Sequence, residues 1–285
     1  MTKRRILITG ATGMLGRTLA QHWSGRHEVL TPKRSELDIK NALNCATVIR
    51  DFRPEIVVHC AAHTAVDRCE VEAEAAYRLN AIGSANIAIA CQRAGARLIA
   101  ISTDYVFSGD APRPYHEWDE TAPRTVYGAT KLAGEVAVRT HCADHIIARV
   151  AWLYGAGGPS FVHTMLRLGS QAGDPLRVVN DQIGNPTSTI AVAAGLDQLI
   201  DRAVVGTVHL TCSGETSWYG FTQEIMRLRG FDRGVIPCTT DEYPRPAPRP
   251  SNSRLDKMAL RLHGFPEMPI WQDAFAFFLR AHPNG

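Results

Sequence analysis

Arg5-Ile6-Leu7-Ile8-Thr9-Gly10-Ala11-Thr12-Gly13-Met14-Leu15-Gly16 decides the fold of this 285-residue chain. A short apolar run passes straight into three glycines spaced GxxGxxG, and helical periodicity follows over Met14–Trp23. That order predicts a strand, a tight turn and a helix whose first amides face an anion. Gly10, Gly13 and Gly16 permit the turn, the close approach of backbone to a pyrophosphate, and close helix–strand packing. Thr12, Met14 and Leu15 complete the loop as candidate cofactor contacts. Glycines alone can merely form a turn, and GxGxxG is the commoner fingerprint. The flanking strand and helix make this a dinucleotide loop.

Outward from this loop the pattern repeats. Glu28–Thr31, Glu55–Cys60, Arg97–Ser102 and His145–Ala151 read as near-continuously apolar strands, as expected where helices cover both faces. Ala42–Phe52, Glu72–Ala94 and Val126–His141 read as the helices between them. The expected fold is α/β: a Rossmann-type, doubly wound parallel sheet over residues 1–152 with a smaller α/β substrate-binding region over 153–285. In that region Phe161–Gln171 and Thr189–Ala203 look helical, Thr207–Cys212 looks like a strand, and Ile270–Arg280 like a closing helix. Elements from it can return to the first domain. Tyr243-Pro244-Arg245-Pro246-Ala247-Pro248-Arg249-Pro250 reads as an ordered, extended loop.

The bulk properties exclude several classes. A formal net charge of +3 gives no general drive towards nucleic acid or a membrane surface. No apolar run approaches the ~18 residues of a membrane span, and Ile6-Leu7-Ile8 is too short for a signal peptide. Seven cysteines without a CxxC pair read as reduced, mostly buried thiols of a cytoplasmic protein.

The second strand normally ends at the adenosine ribose, where an acid selects NAD. Here the chain reads Thr31-Pro32-Lys33-Arg34, two cations suited to a 2′-phosphate. NADPH is the expected cofactor, with NADH possible, and Asp38 is placed near the adenine. Chemistry is expected from Ser102-Thr103-Asp104-Tyr105 at a strand end and Tyr127-Gly128-Ala129-Thr130-Lys131 on a helix. Tyr127 and Lys131, four apart, share one helix face. A cation beside a tyrosine favours its phenolate, so Tyr127 can act as acid–base group while Thr103 holds a substrate carbonyl.

With these residues in order, the chain resembles the extended short-chain dehydrogenase/reductase superfamily. More narrowly, it resembles the dTDP-4-dehydrorhamnose reductase family. The resemblance spans nearly the whole chain. Beyond the glycine loop and the triad it rests on 59–67 (HCAAHTAVD), 102–109 (STDYVFSG), 149–155 (RVAWLYG), 180–187 (NDQIGNPT) and 249–255 (RPSNSRL). It implies reduction of the C4 ketone of a nucleotide-linked deoxysugar, with Thr103, Tyr127 and Lys131 as the catalytic triad and Asp104 beside them. It further implies Ala61, Ala62, His63 and Asn80 on the cofactor groove. Asp104, Val106, Phe107, Trp152, Asn185, Arg249 and Asn252 would contact substrate, with Arg249 meeting the diphosphate and Trp152 packing on the sugar or base. Some relatives bind magnesium between subunits through glutamates. The matching positions here, Met14-Leu15 and Ser188–Val192, carry no acid, so any homodimer is expected to lack that bridge. No metal site is expected, since His59 and His63 straddle a strand end and a loop.

Three alternatives stand beside this reading. Sugar-nucleotide dehydratases and epimerases share the fold, but dehydratases carry a glutamate where Tyr105 stands. A non-catalytic regulatory subunit, such as the β subunit of methionine adenosyltransferase, resembles the same family, but an intact triad argues for catalysis. A 6-deoxytalose-forming reductase would keep the chemistry and change the product.

Overall fold

A computed structural model describes residues 3–282. In chain order the first half contains β1 (Arg5–Thr9), α1 (Met14–Trp23), β2 (Glu28–Leu30), α2 (Ala42–Phe52), β3 (Ile56–His59), α3 (Val66–Val71) and α4 (Ala73–Tyr77). A π-turn over Arg78–Ile82 leads into α5 (Gly83–Ala94), followed by β4 (Arg97–Thr103), α6 (Val126–His141) and β5 (His145–Val150). The second half adds β6 (Leu153–Tyr154), α7 (Phe161–Gly169), β7 (Leu176–Val179), β8 (Ile183–Gly184), β9 (Thr187–Ser188) and α8 (Thr189–Ile200). It closes with β10 (Gly206–His209), β11 (Thr216–Ser217), α9 (Trp218–Arg229), β12 (Val235–Cys238), β13 (Asn252–Ser253), α10 (Met258–Leu262) and α11 (Trp271–Ala281).

Six strands form one parallel sheet in the order β10-β5-β4-β3-β1-β2. Side chains alternate between its faces, and each face owns a core. Ile6, Ile8, Val58, Ile99 and Ala148 join one that includes Leu19, Leu196, Phe221 and Phe275. Leu7, Val57, Leu98 and Ile147 join the other, against Ile49, Ile87 and Val138. Burial on both sides explains the uninterrupted apolar strands, since each residue has a dry face to fill. Successive strands step to opposite sides of β1, β2 to one and β3 to the other. A crevice therefore opens above the C-terminal ends of β1 and β3, where such sheets bind ligands.

Two sequence expectations are corrected. The helix expected over Glu72–Ala94 starts earlier, at Val66, breaks at Glu72 and holds the π-turn. The extra residue of that turn carries Asn80, whose amide bonds both His63 and Thr130. The strand expected over Thr207–Cys212 is shorter, and it joins the first-half sheet beside β5. The remainder of the second half forms small sheets, β11-β8-β13, β12-β7 and β6-β9. Among the described residues, no helix is long and apolar enough to cross a membrane.

Candidate active site

The glycine loop leaves β1 with Gly10 at φ +68° and enters α1 through Gly13, which caps the helix without a side-chain hydrogen bond. The first turn of α1 has no acid, so its amides are left for an anion. A Cβ at Gly10 would lie 2.7 Å from Ala61 Cα, and one at Gly16 would lie 2.4 Å from the Gly10 carbonyl oxygen. Only hydrogen fits at either place. The loop after β3 therefore packs directly on the loop after β1. Thr9 Oγ1 fastens them, accepting from the Ala61 amide at 3.2 Å and meeting His59 Nδ1 at 2.7 Å.

A groove of about 640 Å³ runs along these loops. Gly10, Thr12, Gly13, Met14, Leu15, Gly16, Ala61 and Ala62 line its floor, and Lys33, Arg34 and Asp38 line one end. Lys33 and Arg34 are exposed. Asp38 accepts from the Lys40 amide at 3.1 Å. At the other end stand Thr103, Asp104, Tyr105, Tyr127, Lys131 and the edge of Trp152. An uncapped helix end, a glycine cradle and a basic rim fit a phosphorylated dinucleotide.

Tyr127 reaches the groove from the first turn of α6. The N-cap Thr125 fixes that turn, its Oγ1 accepting from the Gly128 amide at 2.9 Å. Burial pushes the phenol's pKa up, and the neighbouring Asp104 and Tyr105 charges push it further; the Thr103 hydroxyl opposes them. Lys131, one turn on, donates from Nζ to the Ile101 carbonyl at 2.8 Å. Burial lowers its pKa to about 8, against the pull of Glu135. Thr103 Oγ1 donates to Asp104 Oδ1 at 3.0 Å. Burial raises the Asp104 carboxyl to about 6, against the opposing effect of the Ser253 and Thr103 hydroxyls. Beneath them Glu135 accepts from Ser102 Oγ at 2.6 Å, from Arg149 at 2.8 and 2.7 Å, and from Arg139 at 2.7 Å.

A second cavity of about 540 Å³ shares Asp104, Tyr105 and Trp152 with the groove. Phe161, Met165, Leu168 and Val178 give it an apolar wall; Arg177, Arg245 and Arg249 give it cations. Arg249 pairs with Asp67 at 2.8 Å.

Several residues expected at the ligands lie elsewhere. His63 does not line the groove; it lies between Glu72 at 3.0 Å and Cys69 at 3.4 Å. Asn80 bonds Thr130 at 2.9 Å and does not line the groove. Asn185 donates to the Gly214 carbonyl and accepts from the Leu255 amide, and Asn252 donates to the Ala111 and Arg113 carbonyls. Both amides hold loops together. Val106 and Phe107 are buried, with Phe107 stacked on Tyr115 at 4.3 Å. Trp152, at φ +46°, has one indole face against Gly184 and the other stacked on Trp218 at 3.5 Å, so only its edge meets the cavities. Tyr105, Trp218, Phe161 and the buried Glu135 were absent from the expected site. Tyr105 alone had a signal, as neighbour of Asp104. His59 sits between Thr9 and Ser84, where burial drops its pKa to about 3. No group of three or more His, Cys, Asp or Glu side chains among the described residues has the geometry of a metal site.

A parallel dinucleotide-type sheet, with Thr103 at the end of β4 and Tyr127 and Lys131 on α6 lining one groove, defines an oxidoreductase of the short-chain dehydrogenase/reductase class. The chain belongs to the RmlD substrate binding domain family, which it matches over residues 4–282. It is 43% identical to a dTDP-4-dehydrorhamnose reductase of Streptomyces griseus, over 95% of this chain and 91% of that one. Among solved structures, a dTDP-4-dehydrorhamnose reductase from Clostridium acetobutylicum superposes with a TM-score of 0.95 at 44% identity, covering 98% of this chain and 99% of the other. The Bacillus anthracis enzyme of that name, solved in complex with NADP, has a TM-score of 0.96 at 40% identity, covering 98% and 100%.

Proposed function

We propose that this chain reduces the C4 ketone of dTDP-4-dehydro-L-rhamnose to the alcohol of dTDP-L-rhamnose, using NADPH. The observation that carries this reading is that Thr103, Tyr127 and Lys131 line one end of the glycine-lined groove, beside the Asp104, Tyr105 and Trp152 it shares with the second cavity. Gly10–Gly16, Ala61 and Ala62 would hold the dinucleotide, and Lys33 and Arg34 its 2′-phosphate. Bound there, the nicotinamide supplies a hydride. Tyr127 works as the acid: its raised pKa keeps the phenol protonated at neutral pH, and it gives that proton to the C4 oxygen as the carbonyl becomes an alkoxide. Thr103 Oγ1 orients the same oxygen. Cationic Lys131, one turn away, stabilises the phenolate left behind. Buried Asp104 faces the sugar's hydroxyls, and Arg249 meets the diphosphate.

The same reading assigns residues 1–152 to the dinucleotide and most of 153–285 to the substrate, and places the enzyme in the cytoplasm. Any homodimer would form without a magnesium bridge. To test the function, dTDP-4-dehydro-L-rhamnose is supplied with NADPH, nicotinamide oxidation is followed, and the product's C4 configuration is read by NMR. Tyr127→Phe should lower kcat by about 10²- to 10⁴-fold while leaving NADPH binding intact. Absence of turnover by the unaltered protein, or undiminished turnover by Tyr127→Phe, refutes the reading.

A further inference from the structure

Asp67 closes the 59–67 segment, yet it lines neither cavity. It stands in the first turn of α3, just past the loop that borders the cofactor groove with Thr64 and Val66. Both of its carboxylate oxygens reach across to the Pro/Arg-rich loop of the second half. Oδ2 accepts from Arg249 Nη2 at 2.8 Å, and Oδ1 accepts from the Ala247 amide at 3.2 Å. Arg249 then donates from Nη1 to the Ala247 carbonyl at 3.0 Å, so loop and carboxylate form one closed ring of bonds. Ala247 is fully buried in the middle of an otherwise exposed stretch.

From this geometry we infer that Asp67 is a positioning residue for the substrate. It holds Arg249 at the wall of the second cavity, preset for the diphosphate of a nucleotide sugar. The inference rests on the proposed function, in that it takes Arg249 to meet that diphosphate. Three observations support it. First, both carboxylate oxygens bond the loop that carries Arg249, one of them the guanidinium itself. Second, among the described residues two of the five guanidinium N–H donors are engaged, which leaves three for an anion. Third, an unrestrained arginine in a proline-rich loop would have to be ordered when substrate binds, and that ordering weakens affinity. Burial pushes the Asp67 carboxyl up, but hydrogen bonds from Arg249 and the Ala247 amide, aided by the Arg249 and Arg245 charges, hold it below the usual range, so the clasp is charged at neutral pH.

Asp67 also carries a negative charge near the expected anion. Positioning and simple electrostatics therefore predict opposite signs when it is removed. The experiment uses the full chain and compares Asp67→Ala, Arg249→Ala and the double variant. It measures kcat and KM for dTDP-4-dehydro-L-rhamnose, the binding of NADPH, and inhibition constants for dTDP and for thymidine. Asp67→Ala should raise KM and the dTDP inhibition constant about tenfold, the scale of one lost hydrogen bond to a charged group. The thymidine constant and NADPH binding should not move, and kcat should change by less than about twofold. In the Arg249→Ala background, Asp67→Ala should add nothing.

Unchanged or tighter dTDP binding by Asp67→Ala, with Arg249→Ala impaired, overturns the positioning role alone. An Arg249→Ala variant with normal dTDP binding overturns the diphosphate reading and this inference with it. Equal loss of thymidine and dTDP marks general loosening and also overturns it. Should Asp67→Ala not fold, Asp67→Asn serves instead. It keeps one acceptor for Arg249 but loses the charge and presents an amide NH₂ to the Ala247 N–H, so KM and the dTDP inhibition constant should rise in the same direction by a smaller factor; unchanged or tighter dTDP binding overturns the role.

Discussion

Gly16→Ala puts the glycine cradle to a quantitative test. The new methyl would sit 2.4 Å from the Gly10 carbonyl oxygen, 2.7 Å from Ala11 Cα and 2.9 Å from the Gly10 carbonyl carbon. All three are backbone atoms, so no rotamer change relieves the contact. Helix α1 must back away from the loop by roughly 1 Å to restore ordinary van der Waals spacing. Overpacking of this kind costs about 1–3 kcal/mol, and Ala in place of Gly within a helix returns about 1 kcal/mol. The net loss of stability is therefore small, about 0–2 kcal/mol. The effect on the anion site is larger, because the same shift lengthens each hydrogen bond from the α1 amides. Losing one charge-assisted bond costs about 1.5–3 kcal/mol, a rise of about 10- to 150-fold in the dissociation constant for NADPH. Fluorescence titration with NADPH measures that constant, and urea unfolding measures stability on the same samples. A folded Gly16→Ala protein that binds NADPH within about twofold of the parent would refute the argument that these amides hold the pyrophosphate.

Glu135→Leu should cost about 3–5 kcal/mol in urea unfolding, because it leaves buried Arg149 without its carboxylate; a loss below about 1 kcal/mol would mean the guanidinium is otherwise satisfied. Lys33→Ala combined with Arg34→Ala should abolish the preference for NADPH over NADH, measured as a ratio of kcat/KM values; an unchanged ratio removes these side chains from the 2′-phosphate. Lys131 is cationic only below its folded pKa of about 8, so kcat/KM should fall as pH rises through that value. A profile flat to pH 10 would contradict this. Asp104 titrates at about 6 in the fold against 3.8 ordinarily, so the protonated acid is the form the fold favours. Its contribution to stability is complete below pH 3.8 and is lost as pH rises through 6. Asp104→Asn should remove that component from the pH dependence of unfolding, and an identical profile would show that Asp104 is not its source.

The first half was readable because its signals are local and repeated. Helices α1, α2 and α6 run over the expected residues, since apolar periodicity marks their faces and Asn41 and Thr125 cap the latter two. In the second half helices α7, α8 and α11 fall close to the expected residues, but β6, β8, β9, β11 and β13 were not legible, because they are two residues long and carry no period. They exist through partners distant in sequence, as where Ile183 meets both Ser217 and Asn252. At the site, Thr103, Tyr127, Lys131 and the glycines converge on one groove. For Asn80, Asn185 and Asn252 the sequence is silent on partners: a side-chain amide suits a ligand and a loop carbonyl equally well, and only the fold shows that these bond the carbonyls of His63, Gly214 and Ala111. Trp152 lines both cavities, but the sequence does not show that its indole faces are claimed by Gly184 and Trp218, residues far along the chain.

The placement of β10 beside β5 bears on how such an enzyme can be taken apart. All six residues of β5 are buried, and β10 supplies the hydrogen-bonding partner for one side of it. A fragment ending near residue 152 would carry His145–Val150 as a bare, mostly apolar sheet edge, ready to recruit another chain. Grafting a foreign substrate module onto this dinucleotide half would therefore have to bring its own border strand. Without one, the expected product is a precipitate and not a chimaeric enzyme.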